Sequence, residues 1–116
     1  MKSHAQVVIV GGGIMGVSLL YHLTKEYWTD VVLIEKGELT SGSTWHAAGQ
    51  CPHFVGSYNA AKIHNYSNRL YQDLEKETGQ STGWHGCGSL RLALKEEDIN
   101  WFHYVKGILD NVGSPA

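Results

Sequence analysis

Residues 5–16 read AQVVIVGGGIMG, and the fold can be predicted outward from these twelve residues. The run 5–10 is β-branched and apolar, as expected of a buried parallel strand, and three glycines end it. Apolar residues then recur at helical spacing from residue 14 to about residue 27, and a second strand is predicted over 31–34. The sequence therefore predicts a strand, a glycine turn, a helix and a strand over residues 5–35, which is half of a doubly wound α/β sheet.

The glycines of this turn have the spacing G-x-G-x-x-G. Gly11 permits the tight turn, Gly13 lets a pyrophosphate approach the backbone, and Gly16 lets the helix pack close to the sheet. The start of the helix, at Ile14 and Met15, presents unpaired N–H groups and the positive end of its dipole to phosphates. These residues predict a dinucleotide-binding site.

An acidic residue completes the pattern. Glu35 ends the second strand 24 residues after Gly11, where a carboxylate accepts hydrogen bonds from a ribose hydroxyl, and Lys36 follows it. A carboxylate here disfavours a 2′-phosphate and therefore NADP, but it does not separate NAD from FAD. A lone G-x-G-x-x-G is weak evidence because it can be a simple glycine-rich turn; here the strand, helix and acid occur in the required order.

A second segment, residues 39–56, is rich in Gly, Ser, Thr and Ala, with a short helix predicted near 44–48. Its motif GSTWHAAG (42–49) follows GGGIMG and VVLIEK, and it resembles the FAD-binding start of the dimethylglycine/sarcosine dehydrogenase family. These are flavoproteins of the D-amino-acid-oxidase-like class. The stretch SLRLAL (89–94) is similar to a strand of that family. The resemblance covers nearly the whole chain and implies the N-terminal part of a Rossmann-type, glutathione-reductase-like FAD domain, here incomplete.

The resemblance also implies roles for single residues. In that family the histidine of this segment carries FAD covalently through the 8α carbon of the flavin ring, and the matching residue is His46. Ser43, Thr44, Ala47 and Ala48 would line the pyrophosphate and the flavin. Small side chains permit close backbone approach, hydroxyls bind phosphate oxygens, and a neutral imidazole is a competent nucleophile. The alternative is a capping or core histidine in a short helix.

The remaining chain predicts two helices and a strand. Residues 58–78 form an amphipathic helix with Gly79 as its C-terminal cap, 89–94 a strand, and 96–112 a helix with acidic residues in its first turn. The family often has Thr or Ser where Lys95 would cap the last helix. No third parallel strand with a clear crossover follows, so we expect the N-terminal piece of a longer protein that is inactive alone.

Composition excludes several functional classes. Nine basic and eleven acidic residues give the 116-residue chain a net charge of −2, and its longest apolar run is too short to cross a bilayer. Neither nucleic acid nor a membrane is therefore an expected partner.

The cysteines and the N-terminus predict the cellular compartment. Cys51 and Cys87 cannot form a disulfide framework and are expected to be small buried thiols in a reducing compartment. Four residues precede the first strand, too few for a signal or transit peptide. We expect a cytoplasmic protein, or one of the mitochondrial matrix if its true N-terminus is longer.

Other side chains receive structural interpretations. Spacings such as His46-x4-Cys51-x-His53 and His85-x-Cys87 match no common zinc pattern, so no metal site is expected. Three aromatic side chains are expected to pack in the core: Trp84, Trp101 and Tyr104.

The resemblance implies an FAD-dependent amine dehydrogenase, an oxidoreductase of one-carbon metabolism. The substrate would be an N-methylated glycine, dimethylglycine or sarcosine, which transfers a hydride to the flavin. An electron-transfer flavoprotein would be a suitable electron acceptor, and tetrahydrofolate would capture the one-carbon unit in a further domain of a full-length protein. No catalytic acid or base can be assigned in this chain. The alternatives are a non-catalytic regulatory flavoprotein of the same fold and an amine oxidase that uses oxygen.

Overall fold

A computed structural model describes residues 3–114. The chain divides into two compact units, residues up to Gly49 and residues from Gln50 onward. The elements, in chain order, are strand β1 (Val7–Val10), helix α1 (Ile14–Lys25), strand β2 (Val31–Ile34), helix α2 (Tyr58–Thr78) and helix α3 (Glu96–Val112). The strands and α1 belong to the first unit, and α2 and α3 belong to the second.

The first unit is the predicted βαβ arrangement. β1 and β2 pair in parallel, with Val7 opposite Val31 and Val10 opposite Ile34. The Gly11 amide extends this pairing, because it donates to the Ile34 carbonyl at 2.8 Å. The β1–α1–β2 order therefore brings the end of β2 beside the glycine turn.

Three details differ from the prediction for this unit. β1 begins at Val7 and α1 ends at Lys25, because Tyr27 has a left-handed backbone (φ 62°) that stops the helix. β1 is also only half-buried: Ile9 is 6% exposed, but Val10 is 84% exposed. Side chains alternate between the faces of a strand, and α1 covers the Ile9 face. The expectation of a strand buried on both faces is therefore wrong for the described residues.

The second unit is built on two helices whose predicted bounds are confirmed. Its buried core consists of Ala61 on α2 with Val105 and Leu109 on α3. Local chemistry sets the ends of α2, since the Ser57 hydroxyl accepts from the Ala60 amide and Gly79 adopts a left-handed φ of 69°.

Side chains of α2 also hold the end of α3. The Asn65 amide donates to the Val112 carbonyl at 2.9 Å, and the Arg69 guanidinium donates to the Gly113 carbonyl at 3.2 Å. At the start of α3, the Asp98 carboxylate accepts from the backbone amides of Leu94 and Lys95. Asp98, the third residue of α3, thus supplies side-chain hydrogen bonds at the start of the helix, where the N-cap residue Lys95 has no side-chain acceptor.

The predicted strand over 89–94 is wrong. The segment forms no ladder with any residue of the described chain, and Leu90, Leu92 and Leu94 are 88%, 74% and 90% exposed. Arg91 lies between them with its guanidinium 4.3 Å from the centre of the Phe54 ring. A strand requires a hydrogen-bonding neighbour, and residues 3–114 provide none at this place.

The expected burial of the thiols and of the three aromatic residues is also wrong. Cys51 and Cys87 are exposed, because both lie in irregular segments outside the helix pair that forms the core. Trp101 and Tyr104 are about half exposed and stack on each other, with ring centres 5.4 Å apart. Trp84 is partly buried, and its indole N–H donates to the Asn68 side chain at 3.3 Å.

Candidate dinucleotide-binding site

The glycine turn between β1 and α1 has a geometry that requires glycine at two positions of the motif. Gly11 has a φ of 105°, a conformation that side chains strongly disfavour. A Cβ at Gly16 would collide with the carbonyl oxygen of Gly11 and would lie 3.3 Å from the Ile9 side chain. The first and last glycines therefore allow the turn and the close approach of α1 to β1, as the spacing predicts.

Gly13 occupies the N-cap position of α1 and has no side chain that could cap the helix. The cap comes instead from Thr44, whose hydroxyl accepts from the Ile14 amide at 2.9 Å. A Cβ at Gly13 would lie 3.1 Å from the same hydroxyl oxygen. Met15 lies in the first turn of α1 and is 83% exposed. The helix start is thus bare backbone apart from one contact supplied by a later segment.

Glu35 reaches the turn from the end of β2. Its Oε2 accepts from the Gly12 amide at 2.6 Å, and its Oε1 accepts from the Gly37 amide at 2.9 Å. These N–H groups, Gly12 first, lower the pKa of Glu35. Each carboxylate oxygen keeps a second lone pair for another donor. The predicted ribose acceptor is therefore ionised at the edge of the glycine turn, and the neighbouring Lys36 is exposed.

The segment after β2 folds back onto this turn. The Thr40 amide donates to the Gly12 carbonyl at 2.9 Å, and Thr44 caps α1 as described. Residues 39–46 form successive turns, in which the His46 amide donates to the Ser43 carbonyl at 3.2 Å. The short helix expected near 44–48 is therefore wrong. Hydroxyl side chains compete with helix formation by bonding to backbone groups elsewhere, and Thr44 does so.

His46 is exposed, which excludes the core-histidine interpretation. Its Nδ1 lies 3.0 Å from the Gly42 carbonyl oxygen. Because a carbonyl can only accept, this contact places the ring proton on Nδ1 and leaves the lone pair of the neutral ring on Nε2. The imidazole is therefore oriented by its own turn and has an available nucleophilic nitrogen.

Not all predicted residues meet at the turn. The structure brings together the glycines, Ile14, Glu35 and Thr44. Ser43, Ala47 and Ala48 are exposed in the following segment. Two of them bond within it: the Ser43 carbonyl accepts from the His46 amide, and the Ala47 amide donates to the Thr44 carbonyl at 3.3 Å.

Sequence reasoning missed four contributors to the site. Gly12 bonds to both Glu35 and Thr40, Gly37 donates to Glu35, and Leu39 packs against Gly12. Gly12 stands at a variable position of the motif and therefore gave no signal. Thr40 has a left-handed φ of 65°, which no local pattern predicts for a threonine.

Within residues 3–114, no group of three or more His, Cys, Asp or Glu side chains is arranged to hold a metal ion. In the same range, no helix is both long and apolar enough to cross a membrane.

Comparison with known proteins agrees with this geometry. Residues 6–111 match the family described as FAD dependent oxidoreductase. Over 103 residues the chain is 54% identical to the mitochondrial dimethylglycine dehydrogenase of Rattus norvegicus. The aligned residues are 89% of this chain and 12% of that relative. The chain is 44% identical over 116 residues to the mitochondrial pyruvate dehydrogenase phosphatase regulatory subunit of Mus musculus. This alignment covers 100% of the chain and 13% of that protein. The chain thus spans about an eighth of the length of these curated relatives.

A solved structure supports the fold. The L-amino acid deaminase from Proteus vulgaris superposes with a TM-score of 0.83 at 25% identity, covering 98% of this chain and 26% of that one. The α/β fold class and the resemblance drawn from GGGIMG and GSTWHAAG are both confirmed. The chain belongs to the FAD-dependent oxidoreductase family of D-amino-acid-oxidase-like flavoproteins, with dimethylglycine dehydrogenase among its similar members.

Proposed function

We propose that this chain forms the dinucleotide-binding start of an FAD-dependent amine dehydrogenase that acts on dimethylglycine or sarcosine. The observation that carries the proposal is the convergence of three features on one point. The bare start of α1, the ionised Glu35 carboxylate and the Thr44 hydroxyl all meet at the glycine turn. Family membership and the identity with dimethylglycine dehydrogenase support the choice of cofactor and substrate class.

The residues at the turn fit the ADP half of FAD. The absence of side chains at Gly11 and Gly13 allows a pyrophosphate to approach the backbone, and the positive end of α1, with Met15 in its first turn, faces the phosphates. The Ile14 amide is engaged by the Thr44 hydroxyl and contributes there through the dipole of the helix. Glu35 holds a ribose hydroxyl through the lone pairs that Gly12 and Gly37 leave unused, and Lys36 lies beside it. Gly16 keeps α1 close to the sheet so that these groups stay in register.

The segment 43–48 fits the rest of the cofactor. Ser43, Thr44, Ala47 and Ala48 would line the pyrophosphate and the flavin with hydroxyls and small side chains. His46 is the proposed residue of covalent attachment, since its Nδ1 is engaged with Gly42 and its Nε2 carries the lone pair.

FAD, when bound, supplies the redox chemistry by accepting a hydride from the N-methyl carbon of the substrate. The described residues bind and orient that group. Substrate recognition, delivery of electrons to an electron-transfer flavoprotein and capture of the one-carbon unit by tetrahydrofolate belong to further domains of a full-length protein of the relatives' size. By this proposal the 116-residue chain has no amine dehydrogenase activity alone.

The experiment that tests the covalent assignment is peptide mapping of the denatured, flavin-replete, full-length protein. We expect the peptide spanning Gly42–Gly49 to carry the mass of one FAD and the acid-quenched protein to stay yellow. His46→Ala should release its flavin on denaturation, whereas the control His103→Ala, at an exposed position on α3, should retain it. An unmodified Gly42–Gly49 peptide would overturn the covalent assignment but not noncovalent binding at the glycine turn.

A second candidate function is a regulatory flavoprotein without catalysis, favoured by the 44% identity with a relative named as a regulatory subunit. Anaerobic addition of dimethylglycine or sarcosine to the full-length protein separates the two, because a dehydrogenase bleaches its flavin absorbance and a regulatory subunit does not. If the flavin bleaches, the peroxide yield in aerated buffer compared with reduction of an artificial acceptor distinguishes an oxidase from a dehydrogenase.

The cellular location is a further part of the proposal. We expect the cytoplasm, with the mitochondrial matrix as the alternative because the names of the two relatives above include the word mitochondrial. Fractionation of cells that express the tagged full-length protein distinguishes the two compartments.

A further inference from the structure

The start of α1 receives its cap from a distant part of the chain. The first amides of a helix have no partner within the helix, and the N-cap residue Gly13 offers no side chain to satisfy them. The Ile14 amide instead donates to the Thr44 hydroxyl at 2.9 Å, across 30 residues of sequence. This contact joins the start of α1 to the segment that carries His46.

The His46 ring is in turn fixed to that segment. Its Nδ1 contacts the Gly42 carbonyl at 3.0 Å, and its backbone amide donates to the Ser43 carbonyl at 3.2 Å. Thr44 lies between these partners and His46. Any movement of Thr44 relative to α1 therefore moves the imidazole with it.

The segment has another anchor on the glycine turn. The Thr40 amide donates to the Gly12 carbonyl at 2.9 Å, at the opposite end of the turns from His46. With the Thr44 contact present, the segment is held at both ends. Without it, the contacts with the glycine turn that remain among the described residues, the Thr40 hydrogen bond and the Leu39 side chain beside Gly12, lie at the end away from His46, and the segment can pivot there.

We propose that Thr44 is a positioning residue for His46: its hydroxyl, bonded to the Ile14 amide, sets where the imidazole lies relative to the glycine turn. This inference rests on the proposed function, in which His46 is the attachment residue. It assigns to Thr44 a role in the ligand-free chain, before any flavin is present, in addition to the contact with the cofactor proposed above.

Three variants test the role. Thr44→Val removes the hydroxyl at nearly constant shape, Thr44→Ser keeps it, and Ser41→Ala removes a nearby hydroxyl that bonds to the Glu38 carbonyl rather than to the glycine turn. Two ligand-free measurements are made on the 116-residue chain. Hydrogen exchange of the Ile14 amide reports the contact with Thr44, and the ¹⁵N tautomer signature of the His46 ring reports whether the turn inside the segment stays intact. The Leu20 amide, inside α1, reports whether the whole helix is affected.

In Thr44→Val we expect the Ile14 amide to exchange roughly five- to tenfold faster, the size expected for loss of a helix cap. The His46 ring should keep its Nδ1–H tautomer, because its partner Gly42 moves with it, and exchange at Leu20 should stay unchanged. Thr44→Ser and Ser41→Ala should resemble the wild type. Unchanged Ile14 exchange in Thr44→Val would overturn the proposal, and so would loss of the tautomer preference, because Thr44 would then act on the turn inside the segment. Equal acceleration at Ile14 and Leu20 would overturn it too, because the hydroxyl would then be a general stabiliser of α1.

A second measurement uses the full-length apoprotein, to which FAD or ADP is added. We expect Thr44→Val to lower the rate of covalent flavin attachment by a larger factor than it lowers the affinity for ADP, used as a noncovalent probe. Equal losses of attachment rate and ADP affinity would contradict the positioning role. If wild-type protein binds ADP but attaches no flavin, the covalent part of the proposed function fails, and the ligand-free measurements still decide the role of Thr44.

Discussion

The Glu35 carboxylate lies 2.6 Å from the backbone nitrogen of Gly12, and this contact joins the end of β2 to the middle of the glycine turn. Gly12 has little room for a side chain. A Cβ there would lie 2.5 Å from Cδ2 of Leu39 and 3.1 Å from Cβ of Glu35. The second glycine of GGGIMG, a variable position in the dinucleotide motif, is therefore crowded in this chain, first by the end of the Leu39 side chain and then by the β-carbon of Glu35.

Replacement of Glu35 should weaken nucleotide binding. Glu35→Ala removes the proposed ribose acceptor, and we expect it to cost roughly 1–3 kcal/mol of binding free energy for FAD. The affinity is measured in full-length protein that also carries His46→Ala, so that covalent attachment does not mask the change. Glu38→Ala, three residues further along, serves as the control and should bind as the parent does. Equal affinities of the Glu35 variant and the control would refute the ribose assignment.

The glycines differ in their tolerance of a methyl group. Gly16→Ala forces a collision with the Gly11 carbonyl, and we expect it to lower the free energy of unfolding by roughly 1–3 kcal/mol, as overpacking does. Gly42→Ala is the matched control, because a Cβ at Gly42 meets no atom within 4 Å and its backbone is not left-handed. Urea unfolding measures both variants. A Gly16 variant as stable as the Gly42 variant would show that α1 can shift away from β1 at no cost.

Stability should depend on pH through His53. Its Nδ1 lies 2.6 Å from the Ser114 hydroxyl, and burial, followed by the positive charge of His64 and Arg69, lowers its pKa. The folded state therefore prefers the neutral ring, whereas the unfolded state takes up a proton as the pH falls through the ordinary histidine pKa of about 6.5. We expect His53 to contribute fully to the free energy of unfolding above that pH. The contribution should be lost progressively as the pH falls towards the lowered pKa of His53 in the folded state.

The measurement is the free energy of unfolding as a function of pH. His53→Gln should flatten the profile on the acidic side of the ordinary histidine pKa, because the titrating group is gone. The control His103→Gln, at an exposed position on α3, should leave the slope unchanged. If the two variants have the same slope, His53 is not the source of the dependence.

The core of the second unit should respond to truncation more than its surface does. Leu109 is 1% exposed and packs with Ala61 and Val105, so Leu109→Ala is expected to cost about 2–5 kcal/mol through lost burial and a cavity. Leu90→Ala removes the same atoms at a position that is 88% exposed and should change stability by less than about 0.5 kcal/mol. Thermal or urea unfolding measures the stability of the two variants. Similar losses of unfolding free energy in both would show that Leu109 is not part of the stabilising core.

Elements with a local cause could be predicted from the amino-acid sequence. The periodicity of residues 58–78 and 96–112 predicted α2 and α3 with their observed bounds, since side chains close to the ends in sequence set those ends. Ser57 and Gly79 do this for α2, and Asp98 does it for α3. The glycine turn and Glu35 were also predictable, because a strand, a turn and a helix in sequence place them at one edge.

Features that depend on residues distant in sequence could not be predicted, because they form through tertiary contacts. Residues 89–94 have the pattern of a strand, but a strand forms only beside a pairing partner, and the described residues bring none to it. Residues 44–48 have the composition of a short helix, but the Thr44 hydroxyl bonds to Ile14, 30 residues earlier, and the segment turns instead. Local propensity amounts to tenths of a kilocalorie per residue, so a single hydrogen bond worth about 1 kcal/mol from a distant element is enough to override it.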